Sequence, residues 1–91
     1  SEGVADFMIS LGKKVAFVFE FKYKPLDADP KTKTVERLEA ERQKLLSDGM
    51  DEAKNQMAFR RYVDKYAQEY ETVKKVAVAI VGKTDVAIEI Y

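Results

Sequence analysis

Val15-Ala16-Phe17-Val18-Phe19-Glu20-Phe21-Lys22 is the stretch on which the layout of the chain turns. Strict two-residue alternation puts Phe17, Phe19 and Phe21 on one face of a strand. Ala16, Val18, Glu20 and Lys22 lie on the other. Two charged residues closing an otherwise apolar face call for a reason. Upstream, residues 4–11 form a second alternating run rich in branched and aromatic side chains. Gly12-Lys13-Lys14 between the two runs reads as a hairpin turn.

Directly opposed residues of an antiparallel pair point to the same face. With a three-residue turn, Leu11 opposes Val15, Ile9 opposes Phe17 and Phe7 opposes Phe19, and the same register sets Asp6 opposite Glu20. A two-residue turn sets Asp6 against Phe19 and mixes polar with apolar. The register that best segregates apolar side chains is therefore the one that brings two carboxylates together. Such a pair repels unless something positive lies between. A divalent cation fills that place well, since it takes oxygen ligands and keeps waters in its other positions. The backbone carbonyl of Phe21 offers a further oxygen. Lys22, two residues beyond Glu20 on the same face, is placed to orient a water or offset phosphate charge. Asp6, Glu20 and Lys22 thus make a candidate site for phosphodiester hydrolysis.

Outward from the hairpin, residues 25–33 read as a loop marked by Pro25 and Pro30. Residues 34–47 read as a strongly charged helix whose apolar positions, Val35, Leu38, Leu45 and Leu46, form a narrow stripe. Asp48-Gly49 is taken as its stop. A second helix is expected from Asp51, as N-cap, to about residues 66–70. Residues 73–81 are nearly continuously apolar, the pattern of a strand buried on both faces. Gly82-Lys83-Thr84-Asp85 makes a turn before a last alternating strand over residues 86–91. The order β-β-α-α-β-β, with a strand–helix–strand step, predicts a right-handed crossover to a parallel neighbour. The fold class is α/β, a mixed β-sheet flanked by helices, in a single domain spanning residues 1–91. Because the chain opens on Ser, almost directly on a strand, it is read as a fragment of a longer protein.

Composition narrows the chemistry. Sixteen basic and sixteen acidic residues cancel, so no global positive field draws in nucleic acid. Cysteine and histidine are both absent. That excludes disulfides, zinc-thiolate sites, cysteine nucleophiles and His-dependent triads. Catalysis must rest on carboxylates, Lys, Tyr or hydroxyls, and a bound metal is expected to be hard, Mg²⁺ or Mn²⁺. No apolar run approaches bilayer length and no signal-peptide pattern is present, so the cytoplasm is the expected location.

Gly3-Val4-Ala5-Asp6 followed by Val18-Phe19-Glu20-Phe21-Lys22 resembles the D…ExK signature of the PD-(D/E)XK nuclease superfamily. Ala53-Lys54-Asn55-Gln56, with Tyr62 six residues after Gln56, resembles one branch more closely. That branch is the nuclease-like domain found at the C-terminus of AAA-ATPase-like proteins. Its members show a G-R-x-D strand, an E-F-K strand, a helix bearing Gln and Tyr, and an apolar strand ending near a Gly. Residues 76–82 fit the last element. Three features depart from the branch: Val4 stands where Arg is usual, residues 25–50 are longer, and the N-terminal helix of the core is missing. The resemblance implies a restriction-endonuclease-like core and metal-dependent cleavage of nucleic acid. Asp6 and Glu20 would bind the metal, Lys22 would serve the water and Gln56 would assist from the helix. It implies DNA as substrate and a fused or associated ATPase domain as partner.

Plainer readings stand beside these. An isolated E-x-K in a strand is usually a charge pair on an exposed sheet, and Asp6 alone is a strand-start residue in water. Gln56 alone is a partly exposed helix residue. Tyr62 and Tyr66 are sheet-packing residues with a wet hydroxyl. Arg60 and Arg61, near the helix middle, offer contacts to phosphates but read first as part of a solvated helix face, and the charge run over residues 34–47 as a solvated face with i, i+4 pairs. Gly82-Lys83-Thr84 echoes the end of a P-loop but lacks the glycine-rich loop and the following helix. The alternative to a nuclease is a catalytically inactive interaction module on the same fold, or a homodimer formed through the charged helix.

Overall fold

The computed structural model describes residues 6–29 and 31–91, the side chain of Tyr62 excepted. Two strands, β1 (Phe7–Leu11) and β2 (Val15–Lys24), lead into helices α1 (Val35–Arg60) and α2 (Tyr62–Ala67). Strands β3 (Thr72–Val81) and β4 (Asp85–Ile90) follow. The four strands form one sheet in the order β1-β2-β3-β4. β2 and β3 run parallel, and the two outer pairs are antiparallel. The expected α/β fold with a mixed sheet and β-β-α-α-β-β order is the one observed.

The hairpin closes through a three-residue turn. Leu11 faces Val15, Ile9 faces Phe17 and Phe7 faces Phe19, as the segregation of apolar side chains predicts. Gly12 takes a φ of 61°, a left-handed conformation that glycine adopts without a Cβ clash. The ladder begins at Phe7, so Asp6 sits in a bend one residue outside it. Val4 and its departure from the Arg of the resembled branch lie outside the described residues.

The helical region departs from expectation. Instead of two helices broken at Asp48-Gly49, α1 runs unbroken through that point for 26 residues. Glycine in a helix interior costs roughly 1 kcal/mol against alanine, and a packing contact here outweighs that cost. Gly49 is buried on the sheet, and a Cβ built there would lie 3.1 Å from the Cβ of Ala79. Gly49, Ala53 and Met57, four residues apart, form the strip on which the helix rests. Opposite them lie Ala16, Val18, Ala77, Ala79 and Val81, all fully buried. Small residues on both sides let the helix axis come close. Thr34 caps the helix by accepting from the Arg37 N–H at 3.1 Å. The expected ladder on the solvated face is present, with Arg37–Glu41 and Lys44–Asp48 pairs at i, i+4.

The chain breaks its helix twelve residues later than expected, at Arg61, which adopts φ 57° and ψ 19°. Both helices pack on one face of the sheet. Met8, Val73, Val63 and Tyr66 close around Val18 and Met57, so Tyr66 packs as expected. The opposite face collects Phe7, Ile9, Phe17, Phe19, Phe21, Val76, Val78, Ile88 and Ile90, by register. The rings of Phe7 and Phe19 lie 5.5 Å apart, those of Phe19 and Phe21 5.9 Å. Val76 and Val78 are buried there beneath the side chains of the flanking strands, whereas Ile88 stays 63% exposed.

Candidate metal centre

Glu20 is the one buried charged residue of the described core, with 1% of its surface exposed. Alternation along β2 turns it to the helix-covered face, beside Val18 and in register with Ala77. Asp6 reaches the same place from outside the ladder. Its Oδ2 accepts from the Phe21 N–H at 3.0 Å, which extends the β1–β2 connection one step past the last paired residues. Along an extended strand the N–H and C=O of one residue lie on the same edge. The Phe21 carbonyl therefore lies along the edge that Asp6 occupies.

Between the two carboxylates stands Arg60, the last residue of α1. Its Nη1 lies 3.4 Å from Glu20 Oε1 and 3.7 Å from Asp6 Oδ1. Gln56, one helical turn earlier, completes the group. With its amide oxygen turned toward the guanidinium, it accepts from Arg60 Nη2 at 2.9 Å and also from Nε. Lys22 lies one step along, lining a shallow pocket with Glu52, Asn55, Gln56 and Phe59. Of the expected quartet, Asp6, Glu20 and Gln56 thus converge on Arg60, and Lys22 lines the adjoining pocket with Gln56. The reading of Arg60 as solvated is corrected: it is the positive group that the acidic pair requires. Arg61 does face solvent, pairing only loosely with Asp64. The helix spacing held the missed signal, since a helix that brings Gln56 to the site brings the residue four positions on to the same side.

A third carboxylate shares the row across the sheet. Glu20 and Glu89 both register with Ala77, from opposite sides. Two strand spacings separate their Cα atoms by about 10 Å. Glu89 has its own cation, Lys54 of α1. Beside it, Tyr91 lies under Lys75, whose Nζ is 4.5 Å from the ring centre. Burial pushes the Tyr91 hydroxyl pKa up, against the pull of Lys54, with the charges of Glu89 and Glu20 adding to the rise.

The donor set of Asp6, Glu20 and the Phe21 carbonyl is all oxygen, and it fits a hard ion that takes one or two carboxylates and completes its shell with water. Among the described residues no group of three His, Cys, Asp or Glu side chains is arrayed for an ion. Among the described residues no helix is long and apolar enough to cross a membrane.

A family model for the PD-(D/E)XK nuclease superfamily matches residues 1–90, and the chain belongs to that superfamily. Nucleases of this class usually work with a divalent metal on nucleic acid. No curated protein and no solved structure matches the chain.

Proposed function

We propose that the chain is a metal-dependent nuclease domain that hydrolyses phosphodiester bonds of DNA. One observation carries this reading: a single guanidinium nitrogen lies within 4 Å of both the Asp6 and the Glu20 carboxylates. A cation at that point is shared by residues from two chain segments. Asp6, Glu20 and the Phe21 carbonyl would hold Mg²⁺ or Mn²⁺. The ion would supply positive charge at the phosphate and acidify a water. Glu20, held rigidly by its burial, fixes where the charge sits. Lys22, partly exposed beside the pocket, orients the attacking water or neutralises the phosphate. Gln56 assists from the helix, where its amide oxygen accepts from Arg60.

Calorimetry with Mn²⁺ or Mg²⁺ tests the site directly. The chain should bind the ion and Glu20→Ala should not; equal binding by the two removes the proposal. Cleavage of supercoiled plasmid in the presence of metal should be lost in Lys22→Ala. The same reading includes a fused or associated ATPase domain, assembly as a homodimer, and action in the cytoplasm.

A second reading is a nuclease fold kept as a non-catalytic interaction module. It is favoured by Arg60, which already balances the carboxylates. Metal-dependent plasmid cleavage that disappears in Lys22→Ala rules it out.

A further inference from the structure

We propose that Arg60 is a built-in counter-ion that competes with the divalent cation for Asp6 and Glu20, and must leave them for the ion to enter. The inference rests on the metal-site reading above and adds a residue outside its ligand set. Its starting point is the shared contact: one guanidinium nitrogen meets both carboxylates, at 3.4 and 3.7 Å. A guanidinium and a divalent ion cannot both occupy that spot, because like charges at such separation repel strongly.

The three partners differ in their freedom to move. Glu20 is 1% exposed and lies within a ten-residue strand at the centre of the sheet. Asp6 is tied to the Phe21 N–H. Arg60 is the last residue of its helix, its side chain is 32% exposed, and the left-handed Arg61 follows it. A third of its side chain already meets water. Arg60 is therefore the group that yields, and the resting site is neutralised by the protein itself. Gln56 holds the guanidinium in place while it is there. The cost of displacing it sets the metal affinity below what two carboxylates alone would give. Arg60 is a positioning residue in this scheme.

The test is Mn²⁺ titration by calorimetry of the whole chain, as wild type, Arg60→Gln, Arg60→Lys and Arg61→Gln. Arg60→Gln should bind Mn²⁺ more tightly, on the order of tenfold, the scale of coupling between adjacent sites. Arg61→Gln should match wild type. Melting adds a second readout: Mn²⁺ should raise the midpoint of Arg60→Gln by more than it raises that of wild type. If Arg60→Gln does not fold, Arg60→Lys carries the test. It keeps a charge for the buried carboxylate but makes only one point contact, so it should still bind Mn²⁺ more tightly than wild type. Equal or weaker Mn²⁺ binding by the Arg60 variants, with wild type binding, overturns the competition and leaves the metal site standing. No binding by wild type or any variant overturns the metal reading itself.

Discussion

Replacing Glu20 with methionine should make the chain more stable while abolishing metal binding. The two side chains are similar in volume, and the site is 1% exposed between Val18, Ala77 and the helix. A carboxylate there forgoes hydration worth several kcal/mol. Its return is the attraction of Arg60 at 3.4 Å, about 4–5 kcal/mol at an effective dielectric near 20. That return is reduced because a third of Arg60 meets water. Exchange of a buried ion pair for apolar groups is typically neutral or stabilising by about 1–4 kcal/mol. Only one partner is replaced here, and Arg60 keeps Asp6 and solvent, so the gain should be near the low end, about 1 kcal/mol. For a domain this small that raises the melting midpoint by roughly 4–8 °C. Arg60→Met removes the other partner and should act oppositely. It takes the guanidinium away from the buried carboxylate and should cost about 2 kcal/mol, the usual penalty for breaking a buried pair discounted for exposure. Urea unfolding of wild type and both variants measures the asymmetry. If Glu20→Met destabilises as much as Arg60→Met, the carboxylate is a structural member of the core and the argument that it is retained for chemistry fails.

Other substitutions probe the scaffold. Gly49→Val should destabilise by about 1–3 kcal/mol, read as a lowered urea midpoint, because any Cβ there meets Ala79 at 3.1 Å. Arg61→Gly should raise the melting temperature, by up to about 1 kcal/mol of stability, since glycine takes a φ of 57° without the Cβ penalty. The Glu41 carboxyl pKa is held below its usual value, chiefly by its hydrogen bond from Lys33 and further by the Lys33 and Arg37 charges, despite some opposing desolvation. A depressed folded-state pKa contributes stability that is present above about pH 4.5 and lost as pH falls through the folded value. Glu41→Gln should therefore lose less stability than wild type across that acid window, as followed by pH-dependent melting.

The hairpin was legible because a period of two leaves few choices: one register keeps Phe7, Ile9 and Leu11 with the aromatic residues, and it is the register observed. Glu20 announced itself as a charge on an apolar face. The helix boundary was misread because a glycine beside an aspartate looks like a stop to local rules, while its cause is the approach of Ala79 from a strand thirty residues on. Which face the helices would cover was also not written in the alternation, since both faces of β2 are apolar. They chose the one lined by Ala16, Val18, Ala77 and Ala79, where small side chains permit a close axis, and left the phenylalanines outward. Arg60 was missed because it was weighed as part of a charged helix face and not by its four-residue spacing from Gln56, which puts it on the same side of the helix.

The Gly49–Ala79 contact has mechanical leverage. It lies about three turns, some 16 Å, from Arg60 along a continuous rod. A wedge that tipped the rod by about 5° at that fulcrum would carry its far tip sideways by roughly 1.4 Å, and displacement of about 1 Å in a reacting group can slow chemistry a hundredfold. A methyl group placed some three turns from Arg60 would thus be felt at Asp6 and Glu20.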